Sequence, residues 1–123
     1  MRKELVSVLG SSNVDNLIAK LTPTAETFGI QVKAGEGELA RGTALAVTAA
    51  GTYEVLGKTS GAVASCILAD PVDASGETAV TAVAYRSGNF NRAALIVKSG
   101  YTMTAADEDN LRKYDIILTD MMD

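Results

Sequence analysis

The segment Ala84-Tyr85-Arg86-Ser87-Gly88-Asn89-Phe90-Asn91-Arg92 lies between two apolar stretches, and its reading decides the fold. Before it, Thr78 to Val83 predicts a strand. After it, Ala93-Ala94-Leu95-Ile96-Val97 predicts a second, fully buried strand. The connection gathers two arginines, two asparagines and two of the chain's six aromatics around one glycine. A solvent loop has no need of Tyr85 and Phe90, so this one is expected to pack against something. Two readings fit: a corner that closes the chain's own core, or a contact surface carried by Tyr85, Arg86, Phe90 and Arg92.

Working outward, a chain of 123 residues makes one domain, because single cores run to roughly 100–200 residues. There is no Trp, Phe occurs twice and Tyr four times, so the core is built from Ala, Val, Thr and other small side chains. Small and β-branched residues pack closely on pleated strands without long rotamers to freeze. Phe28 to Lys33 alternates apolar and polar, as a half-buried strand does. Thr43 to Val47, Tyr53 to Leu56 and Val63 to Ala69 read as further strands, the last ended by Asp70-Pro71. Gly35-Glu36-Gly37, Gly57 to Gly61 and Asp73 to Glu77 read as turns and loops.

Near the C-terminus, Thr104-Ala105-Ala106-Asp107 has capping-box spacing and opens a helix. Asp107, Glu108 and Asp109 suit the positive end of its dipole, and Arg112 and Lys113 the negative end. Glu108 with Arg112 and Asp109 with Lys113 are spaced as i,i+4 ion pairs. Leu111 and Tyr114 are expected to dock the helix, and Ile116-Ile117-Leu118 to form a last short strand. The fold class is therefore mainly β with a minor α component: one compact domain of short strands, one short C-terminal helix and an extended N-terminal arm. The arm is assigned to residues 1–26 and the β-rich domain to residues 27–123. Within the arm, Leu5, Val6, Val8, Leu9, Leu17 and Ile18 are scattered apolar anchors among loop residues, a mixture suited to ordering on contact.

Several functions are disfavoured by what the chain lacks. The formal charge is −4 with no basic run, whereas nucleic-acid binding relies on clustered Lys and Arg. No stretch approaches the roughly 18 apolar residues of a membrane span. Leu5 to Leu9 is too short for a signal-peptide core, so synthesis in the cytosol is expected. Histidine is absent, which removes nucleophile systems that need a base titrating near neutrality. Cys66, the single cysteine, has no partner within the chain for a disulfide, and its neighbours Ile67 and Leu68 make it a buried structural thiol. Asp70, Asp73 and Glu77 lack the order of a calcium loop. Gly35-Glu36-Gly37-Glu38-Leu39-Ala40 formally fits a dinucleotide fingerprint, but a β-branched run follows where a helix is required, and Glu36 and Glu38 would repel phosphate. No catalytic residue, metal ligand or cofactor is assigned.

The stretch from Tyr85 to Arg92 resembles the tyrosine-arginine-x-glycine-x-phenylalanine-asparagine-arginine run of tailed-phage head decoration proteins, the lambda-type head decoration protein D or capsid cement family. Further segments resemble that family in the same order. These are Asn16-Leu17-Ile18-Ala19, Leu39-Ala40-Arg41-Gly42-Thr43-Ala44-Leu45, Cys66-Ile67-Leu68-Ala69-Asp70 with Val72-Asp73-Ala74, and Ala94-Leu95-Ile96-Val97 leading to Gly100-Tyr101-Thr102-Met103. The helix and its isoleucine-rich strand complete a likeness covering residues 16 to 120. Residues 1–15 depart from it, being more apolar than the proline- and threonine-rich arm of the family.

The resemblance implies a virion structural protein that binds the outer surface of an expanded icosahedral capsid and stabilises it against DNA pressure. It further implies a homotrimer at three-fold positions, with the major capsid protein as partner and no nucleic acid or membrane. The arm residues would then bind the capsid, and Tyr85, Arg86, Phe90 and Arg92 would lie at a subunit or capsid interface. The alternative is a non-catalytic receptor- or glycan-binding module of a phage or cell surface, against which the lack of a Trp stacking platform counts. A small enzyme working through carboxylates is the third class.

Overall fold

A computed structural model describes residues 16–59 and 62–120. The organising element is one strand, β8 (Val80–Asn91), long enough to serve two sheets. The elements preceding it are β1 (Ile18–Lys20), β2 (Glu26–Val32), β3 (Gly37–Leu39), β4 (Ala44–Val47), β5 (Tyr53–Val55), β6 (Val63–Leu68) and β7 (Val72–Ala74). After it come a 3₁₀ turn at Arg92–Ala94, helix α1 (Ala105–Arg112) and β9 (Ile116–Thr119).

The first half of β8 closes a barrel. It pairs antiparallel with β2, placing Phe28 opposite Ala84 and Ile30 opposite Ala82, and on its other edge with β6. From β6 the ladder continues to β4 and β5, and β5 returns to β2 through a short parallel contact, Val32 with Tyr53. Closure leaves these five strands without a free edge between them. The second half of β8 lies between β1, antiparallel with Ile18 opposite Phe90, and β9, parallel with Phe90 opposite Leu118. A separate two-stranded ladder joins β3 to β7.

Side-chain period follows this architecture. In β2, Ile30 and Val32 point inward and are buried, while Thr27, Gly29 and Gln31 are exposed. In β6 the run from Ala64 to Leu68 is buried without alternation, because α1 packs on the outer face of that strand. Leu111 supplies the buried contact of the helix. The capping box forms as its spacing predicts: Thr104 Oγ1 accepts from Asp107 N and the Asp107 carboxylate accepts from Thr104 N. Cys66 is wholly buried and free.

Four expectations are corrected. The connection 84–92 is not a loop: through Asn91 it is the second half of β8 itself. Asn, Gly and Arg are poor strand formers alone, but pairing with a neighbour on each side overrides that preference. The stretch 93–97 is not a buried strand. It begins in the 3₁₀ turn, makes one isolated bridge from Ile96 to Thr43, and leaves Ile96 43% exposed. The expected arm of residues 1–26 is in its latter part built into the domain: Leu17 is 2% exposed, Ile18–Lys20 is β1 and Glu26 opens β2. Residues 1–15 lie outside the described residues. Finally, the i,i+4 ion pairs are replaced. Glu108 pairs with Arg92 instead, Arg112 pairs with Asp109 one turn earlier, and Tyr114 turns outward rather than docking with Leu111.

Candidate functional site

The four residues singled out in the central segment separate into three environments: Tyr85 and Phe90 lie in the core, Arg92 lies just past the end of β8, and Arg86 is on the surface. Phe90 is wholly buried and its ring lies 5.1 Å from that of Tyr85, tilted by 51°. Tyr85 is nearly buried. Its hydroxyl accepts a 2.6 Å hydrogen bond from Arg41 Nη1, which also donates to Ala69 O at 3.1 Å, and the guanidinium sits 5.5 Å from the Tyr85 ring centre. These two aromatics close the protein's own core.

Arg92 is consumed internally. Its Nε and Nη2 donate to the two carboxylate oxygens of Glu108, each at 2.9 Å. Nη1 donates to Asp120 and Nη2 to Leu118 O. These partners raise the guanidinium above its ordinary pKa, the Glu108 hydrogen bond contributing most. A bidentate Arg–carboxylate pair of this kind is geometrically specific, and here it ties the end of β8 to α1 and β9.

Arg86 alone of the four remains on the surface, 3.4 Å from Glu26 Oε1. It borders a concavity of about 800 Å³. Barrel closure brings Phe28 of β2 and Tyr53 of β5 to its wall, and the turn after α1 adds Lys113, Tyr114 and Asp115. That turn ends at Asp115 with φ of 65°, the left-handed conformation that commonly terminates helices. Half of the chain's six aromatics therefore meet at one surface depression. Tyr114 is 46% exposed. Burial, then the proximity of Cys66 and Tyr114, raises the Tyr53 phenol above its ordinary value. It stays protonated at neutral pH, a donor facing the depression.

Sequence reasoning found Arg86 but missed Phe28, Tyr53, Tyr114, Lys113 and Asp115 as a group. They come from three separated segments, with Arg86 on a fourth, that no local pattern links. The sequence pointed the other way for Tyr114, whose i,i+3 spacing from Leu111 assigns it to the helix's buried side. Of the arm residues, Leu17 packs in the core and Ile18 against it, while Leu5, Val6, Val8 and Leu9 lie outside the described residues. Among the described residues no group of three or more Cys, Asp or Glu side chains converges on a metal position. No described helix is long and apolar enough to cross a membrane.

The closed barrel holds Arg92 as an internal staple and presents aromatic and oppositely charged side chains together at one depression. The family model described as bacteriophage lambda head decoration protein D matches residues 6–116, and the chain belongs to that family. No curated protein matches the chain. Family membership makes it a structural, capsid-binding component of the phage head.

Proposed function

We propose that this protein binds the outer surface of an expanded icosahedral capsid and stabilises it against the pressure of packaged DNA, as homotrimers at three-fold positions. Its partner is the major capsid protein, and neither nucleic acid, membrane, cofactor nor catalysis enters the role. The observation that carries this reading is the family match over residues 6–116. The absence of histidine and of any basic run agrees with it.

In this reading residues 1–15, with Leu5, Val6, Val8 and Leu9, form the capsid-binding arm. Leu17 and Ile18 are its root. Leu17 O accepts a 2.7 Å hydrogen bond from Asn91 N, so the arm leaves from a fixed point on β8. An arm that adds a strand to a capsid edge gains backbone hydrogen bonds, offset by the conformational entropy lost when its backbone is held in one conformation. Three arms on one trimer would multiply avidity by about 10²–10⁴.

The test is co-sedimentation of the purified protein with expanded and unexpanded shells of its own phage. Saturable binding to expanded shells alone is expected, with loss of binding on deletion of residues 1–15. A folded protein that binds neither shell would sink the reading, and unchanged binding by the truncated chain would sink the arm assignment alone.

A further inference from the structure

We propose that the concavity beside Arg86 is a second contact with the shell. It receives an extended polypeptide segment of a capsid subunit, anchored by an apolar side chain seated among Phe28, Tyr53 and Tyr114. The proposal rests on the decoration reading above and adds to it a surface independent of the arm.

Three observations carry it. First, the side chains gathered there are uncommitted. The phenols of Tyr53 and Tyr114, the Lys113 ammonium and the Asp115 carboxylate make no hydrogen bond or ion pair among the described residues. The other aromatics differ: Tyr85 and Phe90 pair with each other, and Tyr101 donates to Asp107. Tyr, Phe and Arg are also the types enriched at protein–protein contact centres.

Second, the rim carries both signs. Glu26 and Asp115 stand with Arg86 and Lys113 around the aromatic floor. A rim of balanced charge offers no net attraction to a simple anion or cation. It suits a polypeptide, whose amides and mixed side chains can meet donors and acceptors in a fixed register. Third, the concavity is continuous with the root of the arm. The chain runs from Leu17 through β1 into Pro23 and Thr24, which line the same depression.

The experiment uses the full chain and expanded shells of its own phage. A photo-crosslinking phenylalanine analogue replaces Tyr114, and Tyr114→Ala and Lys113→Glu are compared with the remote exposed control Lys98→Ala. The expected result is a crosslink to the capsid subunit. Shell affinity should fall about tenfold or more in both concavity variants, with melting temperature, oligomeric state and the control unchanged. A crosslink to a second copy of this chain, or loss of the oligomer in Tyr114→Ala, would overturn the proposal in favour of a self-contact. Unchanged shell affinity would also overturn it while leaving the decoration role intact, and glycan-array binding that depends on Tyr114 would then reassign the depression to a saccharide. Failure of the unaltered protein to bind shells would remove both readings together.

Discussion

Gly88 shows how one residue sets the path of β8. Its φ is 146°, and a Cβ there would lie 2.6 Å from the Phe90 ring. The glycine thus allows the aromatic to fold back under the backbone at the point where β8 passes from one sheet to the other. Gly88→Ala is expected to cost about 2 kcal/mol or more, from strain combined with overpacking, read as a lower urea midpoint. Cys66 gives a second residue-scale prediction. Burial pushes its thiol up to about 12 from an ordinary 9.0. The unfolded chain ionises first, so the thiol's contribution to stability is complete below about pH 9 and is lost as pH rises toward 12. Urea midpoints measured from pH 8 upward should fall less steeply in Cys66→Ala than in the unaltered protein. Iodoacetamide at pH 8 should label the thiol only after unfolding.

The end of β8 and helix α1 are joined through one side chain. The Arg92 side chain spans both, holding Glu108 on the helix and Asp120 beyond β9. With the guanidinium 35% exposed, the network is screened, and Arg92→Ala is expected to cost only about 1 kcal/mol. The loss should shrink in high salt, which a urea titration at two ionic strengths would read. Thr104→Ala removes the hydroxyl half of the capping box and should cost about 1 kcal/mol with little salt dependence. The helix itself is legible in the sequence, because its cap and charge distribution are local. Its ion pairs are not, since Arg92 reaches Glu108 from the end of a distant strand and displaces the intrahelical partner.

For the whole molecule, the boundary between arm and barrel predicts two different truncations. Removing residues 1–15 leaves β1 and the Leu17 contact in place, so the urea midpoint should hardly move. Removing residues 1–21 strips β1 and uncovers Phe90; loss of the buried Leu17 alone should cost about 2–5 kcal/mol. Equal midpoints for the two truncations would show that β1 contributes nothing to the closed fold.

The amino-acid sequence by itself determined the mainly β class, the small-side-chain core, the buried Cys66, the capped helix at 105–112 and the strand after it. Each of these rests on local periodicity, capping geometry or composition. The resemblance carried by the order of its motifs was confirmed by the family match over residues 6–116. Tertiary structure alone decided that the segment from Ala84 to Asn91 is strand, that Tyr85 and Phe90 serve the core, and that Arg92 is a staple while Arg86 stays on the surface. It also decided that Phe28, Tyr53 and Tyr114 share one depression. The physical reason is that these outcomes depend on partners far along the chain: β8 is extended because β1, β2, β6 and β9 all pair with it, and no run of nine residues encodes four neighbours.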